Sequence, residues 1–135
     1  MDYYQLATDK LSVAKLTRDA GFYADSVYAS CLSIEFYLKS VMHRVPSAQE
    51  YEFTHDVINL YKEINSKYRS KKDLLSQMKA CRKYNNESRY PYSGTDVFTK
   101  DFADKFISYA NDTKDYIDNE CAITLSDLES KPKKI

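Results

Sequence analysis

Tryptophan is absent, glycine occurs twice and proline three times among 135 residues. So few turn-forming residues leave little room for the tight turns of an all-β fold and favour long helices with few connections. Formal net charge is zero, which argues against coating of nucleic acid by bulk charge. No apolar run approaches the roughly 18–20 residues of a membrane span, and the opening Met1-Asp2-Tyr3-Tyr4 has no signal-peptide character. A cytoplasmic protein that does not enter a membrane is expected. Cysteine is scarce as well. Cys31, Cys81 and Cys121 are odd in number and far apart, with no C-x-x-C, so buried free thiols in a reducing compartment are expected. There is no P-loop, G-x-G-x-x-G, H-E-x-x-H or nucleophile elbow, and two histidines with scattered cysteines offer no metal-ligand spacing. Neither a metal nor a cofactor is expected.

What the chain does have is tyrosine, 13 copies of it, within a composition that is 43% hydrophobic. That is ordinary for a globular protein and enough for a core without staples. The organising stretch is residues 21–45, where Val27, Cys31, Ile34, Leu38 and Val41 recur in steps of four and three. This spacing places one continuous apolar stripe on a helix. Gly21 and Pro46 bracket it as start and stop signals. A helix of that length is roughly 35 Å long, the width of a small domain. On its polar edge Glu35 and Lys39 form an i,i+4 pair in the favourable order.

The remaining segments read the same way. Residues 2–18 form a first helix with Tyr4, Ala7, Leu11 and Ala14 on one face and Leu6 and Val13 flanking it, followed by a short turn at Asp19-Ala20-Gly21. After a loop, Thr54 looks like an N-cap for a third helix carrying Val57, Tyr61, Ile64 and Tyr68. Residues 70–85 form a fourth, with Leu74, Met78 and Cys81 inward and Lys71, Lys72, Lys79 and Lys83 toward solvent. The stretch NNESRYPYSG, residues 85–94, opposes a continuing helix. Thr95, Asp96 or Thr99 then caps a fifth helix with Phe102, Phe106, Tyr109, Thr113 and Tyr116, beside Ala103, Ala110 and Ile117. The expected architecture is an all-α, up-and-down bundle of four long helices and one shorter one. It forms a single domain over residues 1–125, with a frayed tail over 126–135.

Several side chains are candidates for chemistry. Residues 61–90 hold nine Lys or Arg against three acids, while 91–135 hold nine acids against six bases. Within the basic segment, Arg89-Tyr90-Pro91-Tyr92 sets a guanidinium among rings, suited to gripping phosphate while an aromatic stacks on a base. Arg82, Lys83, Lys79 and Tyr84 would extend that surface. The same residues also suit a helix-terminating turn, with Arg on orphan carbonyls and Tyr over the core. Glu35 and Lys39 read either as an anchor for a polar ligand or partner helix, or as a solvated surface pair. His55 beside Asp56 offers an acid–base pair, but neighbours on a helix point about 100° apart, and a first-turn histidine more often serves structure. His43 suits the end of the central helix, where imidazole complements the dipole. Tyr4, Tyr28, Tyr37, Tyr61, Tyr109 and Tyr116 fall at core-edge positions, as rings with wet tips do.

Three stretches together carry a family resemblance. Residues 21–39, GFYADSVYASCLSIEFYLK, match a G-x-Y-x-x-A…A-x-E-x-x-L-K helix, with Ser26 where Ala is usual. Residues 54–60, THDVINL, match a helix that opens with His, and residues 87–91, ESRYP, match an R-Y-P break before the last helix. In this order they resemble the HEPN domain, a small helical bundle of prokaryotes often paired with minimal nucleotidyltransferases. The resemblance implies a homodimer that binds nucleotide or RNA, or docks a nucleotidyltransferase partner, in toxin–antitoxin or defence settings. Ribonuclease members of the family carry Arg followed by His after four to six residues. Neither His43 nor His55 has an Arg at that distance before it, and no His follows Arg89. A non-catalytic binding module is therefore expected. The alternatives are a divergent, metal-independent ribonuclease using Arg89 with His55 or Tyr90, and a purely structural partner presenting an exposed apolar patch.

Overall fold

A computed structural model describes residues 2–42, 56–68, 73–86 and 98–121. Among these residues every regular element is helical, in an all-α bundle as the resemblance implies. Helix α1 (Tyr3–Asp19) starts where the Asp2 carboxylate accepts the Gln5 backbone N–H at 3.0 Å, satisfying a donor that no helical carbonyl can reach. It ends in a Schellman turn: Gly21 N–H donates to Arg18 O at 3.0 Å and Phe22 N–H to Thr17 O at 2.8 Å. That closure needs a left-handed residue, and Gly21 supplies it at φ +87°. Gly21 thus belongs to the end of α1, and α2 (Tyr23–Met42) begins two residues later.

Helix α2 is the post around which the others stand. Val27, Cys31, Ile34, Leu38 and Val41 have no exposed surface, so the periodic stripe is the core. It contacts α1, α3 (Val57–Tyr68), α4 (Leu75–Asn86) and α5 (Lys100–Asp115). Against α1 it runs antiparallel at close range. Ser33 Oγ donates to Ala7 O at 2.8 Å and Ser26 Oγ to Ala14 O at 2.7 Å, and the small fully buried Ala7 and Ala14 permit that approach. Ser26 fits at this buried position because its hydroxyl has this carbonyl to meet.

The outer helices are pinned by side chains. Thr54 lies outside the described residues; within them Asp56 caps α3, its Oδ1 accepting from Ile58 N–H at 3.1 Å and Asn59 N–H at 3.3 Å. Tyr61 of α3 accepts the Leu74 N–H at 2.9 Å just ahead of α4. Lys71 and Lys72 lie outside the described residues, and Leu74, Met78 and Cys81 point inward. Thr99 caps α5 by accepting the Phe102 N–H at 3.1 Å. Past Asp115 the helix widens into a π turn (Tyr116–Glu120), closed by Cys121 N–H on Tyr116 O at 3.3 Å. Arg18 meets Asp104 at 3.1 Å and Tyr4 meets Asp118 at 2.8 Å, so α1 and α5 are also antiparallel and tied at both ends. The expected tail beyond residue 125 lies outside the described residues.

Tyrosines that the pattern places at core edges divide into two groups. Tyr4, Tyr28 and Tyr109 are half-buried, while Tyr37, Tyr61 and Tyr116 are fully inside. The buried ones keep a partner for the hydroxyl. Tyr37 pairs with Thr8 at 3.0 Å, and Tyr116 donates to Asn65 at 3.1 Å. Burial pushes the hydroxyls of Tyr37, Tyr61 and Tyr116 upward from their ordinary range.

Candidate functional site

The i,i+4 pair on α2 is not on a wet edge. Lys39 Nζ lies 2.9 Å from Glu35 Oε2, and their side chains are 5% and 1% exposed. The expectation of a polar, solvent-facing edge is corrected by the number of neighbours: with helices packed all round α2, its polar flank is covered too. Asn85, at the end of α4, reaches across to the pair. Its amide nitrogen donates to Cys31 O at 2.9 Å and to Glu35 Oε1 at 3.3 Å. The Lys39 ammonium also stands over the Tyr3 ring, 5.9 Å from its centre, and Tyr3 stacks on Phe36 at 5.8 Å. Such a cluster holds α2, α4 and α1 in one register, and it leaves Lys39 no reach toward a phosphate in solvent. A buried ion pair is tolerated when both charges have partners, and each partner matters for that reason.

Asn85 was legible in principle, since Leu74, Met78, Cys81 and Asn85 step by four, three and four along the buried face of α4. The double Asn reads as a helix break, which hid it. Cys31 beside it is a buried thiol next to the Cys81 thiol, and burial pushes it well above its ordinary range. The Cys31 sulfur is therefore an inert protonated thiol, as are buried cysteines in general.

Outside this cluster, α4 turns a cationic side to solvent. Lys79, Arg82 and Lys83 are exposed at i, i+3 and i+4, neighbours on one helical face. Arg82 is 53% exposed and its guanidinium stands 3.8 Å from Asp56, a loose pair that competes weakly with water. Lys83 Nζ lies 5.8 Å from the centre of the Tyr84 ring. Tyr84 itself packs edge-on to Tyr28 at 5.2 Å and to Phe106 at 5.6 Å. The structure thus brings Arg82 and Lys83 together, and joins Glu35 with Lys39 in a different, buried place. Arg89, Tyr90, Tyr92 and His55 lie outside the described residues, as does His43. Asp56 is engaged in capping α3 and bonding Asn59 Nδ2 at 3.0 Å, in addition to facing Arg82.

Tyr84 also lines a concave feature. A groove of about 220 Å³ runs between α1 and α2 and is closed by the end of α4. Lys10 and Val13 line it from α1, Asp25, Tyr28, Ala29 and Leu32 from α2, and Tyr84 and Asn85 from α4. Among the described residues no group of three His, Cys, Asp or Glu side chains is arranged to hold a metal ion. No helix among them is long and apolar enough to cross a membrane.

A helical bundle with one central buried post, a polar cluster locked into it and a cationic outer helix is the class that these features define. The family profile of the HEPN domain matches residues 1–119, and the chain belongs to that family. No curated protein and no solved structure matches it.

Proposed function

We propose that the chain is a non-catalytic HEPN-type binding module, homodimeric and cytoplasmic. On this reading it takes up the phosphates of a nucleotide or of RNA on the cationic side of α4, or seats a nucleotidyltransferase partner there. The observation that carries the reading is the arrangement of Lys79, Arg82 and Lys83 as exposed neighbours on one face. Arg and Lys in such a row meet successive phosphates, Arg by a two-pronged contact and Lys as a point charge. In sequence this row leads into Arg89-Tyr90-Pro91-Tyr92, which adds a guanidinium and rings suited to stacking. The neutral total charge fits a local contact better than a coat over the whole surface.

Fluorescence anisotropy with a short single-stranded RNA, and calorimetry with mononucleotides, test this at several salt concentrations. Binding to RNA is expected to weaken with salt, with a log–log slope of about −0.7 for each phosphate contacted. Replacing Lys79, Arg82 and Lys83 with Gln should remove most of that dependence. If neither RNA nor nucleotide binds, the ligand reading is wrong, and co-purification with a nucleotidyltransferase remains as the measure of the docking reading. If the RNA comes back cut, the divergent ribonuclease through Arg89 and His55 or Tyr90 replaces the non-catalytic one.

A further inference from the structure

The groove between α1 and α2 is not lined by the cationic row of α4. At about 220 Å³ it is smaller than the roughly 300–1,000 Å³ of sites that enclose drug-sized ligands, so its occupant is smaller than a nucleotide. Its walls are mixed in a particular way. Val13, Ala29, Leu32 and the rings of Tyr28 and Tyr84 are apolar or aromatic, while Lys10 on α1 and Asp25 on α2 bring one charge of each sign from opposite sides. Among the described residues neither is held in an ion pair, although other charges on α1 and α5 do find partners: Arg18 with Asp104 at 3.1 Å, Lys114 with Asp118 at 2.8 Å. The end of α4 adds Tyr84 and Asn85, and Asn85 turns its amide nitrogen inward to Cys31 and Glu35.

We propose that this groove binds a small zwitterion, a free α-amino acid with an apolar or aromatic side chain. The carboxylate of such a ligand meets the Lys10 ammonium. Its own ammonium meets Asp25, and its side chain lies against Tyr28, Leu32 and Val13. A phosphate ligand fits less well, because it would bring two negative charges past Asp25 to a single lysine. A purely apolar ligand would leave both charges without a counterpart. The proposal stands apart from the α4 reading: the two use different residues, and either can fail alone.

Calorimetry and thermal-shift measurements on the full chain test it with phenylalanine and leucine, phenylalanine amide, N-acetyl-phenylalanine and adenosine monophosphate. The free amino acids are expected to bind, and each blocked derivative to bind about tenfold more weakly for the loss of one charge-assisted contact. Lys10→Met should abolish discrimination against the amide alone, and Asp25→Asn discrimination against the N-acetyl compound alone. Asp25 is exposed and Lys10 half-buried, and circular dichroism of each variant verifies the fold. The proposal is overturned if no amino acid binds at millimolar concentration, or if the blocked derivatives bind as well as the free ones. Loss of no discrimination in either variant overturns it too, as does displacement of phenylalanine by adenosine monophosphate.

Discussion

Two i,i+4 ion pairs in this molecule look alike in sequence and live in opposite surroundings. Glu35 and Lys39 on α2 meet at 2.9 Å with 1% and 5% of their side chains exposed. Lys100 and Asp104 on α5 meet at 3.1 Å with 64% and 37% exposed. The first pair exchanges water for one another, for Asn85 and for the face of Tyr3; the second keeps its water. The lesson is that the spacing of two charges fixes only that they can touch. What the contact contributes is decided by how many other helices close over it, because desolvation grows with burial faster than the attraction is repaid.

The comparison is broken most sharply by removing one charge from the inner pair. Lys39→Met takes the Lys39 ammonium away from the buried Glu35 carboxylate, and is expected to lower stability by about 3–5 kcal/mol. Adding Glu35→Gln should recover a large part of that loss, and urea denaturation of both variants checks it. Equal stability of the single and double variants would mean that the pair is wetter than its geometry implies.

A middle case sharpens the contrast. Tyr4 donates to Asp118 at 2.8 Å while Lys114 holds the other carboxylate oxygen at 2.8 Å, all three half-buried. Burial first, and the Asp118 hydrogen bond second, push the Tyr4 hydroxyl up to about 12 from its usual 10.0. The fold therefore favours the neutral phenol, and the unfolded chain loses its proton first. The stabilisation is present in full below pH 10.0 and is lost as pH rises through about 12. Tyr4→Phe is expected to cost about 1–2 kcal/mol near neutral pH and to flatten the alkaline loss of stability. Unfolding curves followed across the alkaline range, with tyrosinate absorbance alongside, read both effects.

At the outer end, Lys100→Gln should change stability by no more than about 0.5 kcal/mol, and less in high salt. Its carboxylate partner has a second cation in Arg18, and the hydrogen bond from Lys100 followed by that from Arg18 keeps Asp104 below its ordinary value. A loss as large as that from Lys39→Met would erase the distinction between the two pairs.

Much of the architecture was readable before any coordinates. The 4-3-4-3 spacing from Val27 to Val41 is a property of one helix, and one helix is enough to reveal it. The break after Asp19 follows from local hydrogen bonding, so a short window contains it; for the α5 cap the sequence left Thr95, Asp96 and Thr99 open, and the structure selects Thr99. Asp56 rather than Thr54 as the described cap of α3 is the reverse case: both residue types cap helices, and only the backbone path selects between them. The α4 candidates Arg82 and Lys83 were placed on the right helix, where their exposure follows from the inward stripe of Leu74, Met78 and Cys81. Glu35, Lys39 and Asn85 misled because residue type predicts burial only on average, and a polar side chain goes inside when another element brings it a partner. Phe22 and Leu16, 60% and 68% exposed, are the apolar counterpart, left outside at the α1–α2 turn.

Taken alone, the amino-acid order determined that this chain makes amphipathic helices, where most of them begin and stop, and which stripe of the longest one must avoid water. These depend on interactions within a few residues and on a fixed helical repeat. Only the tertiary structure decided that α2 is covered on its polar flank as well, that Asn85 closes a buried ion pair, and that Lys10 and Asp25 face one groove from two helices. Those outcomes require residues far apart in sequence to meet, and no local period records which distant partner will arrive.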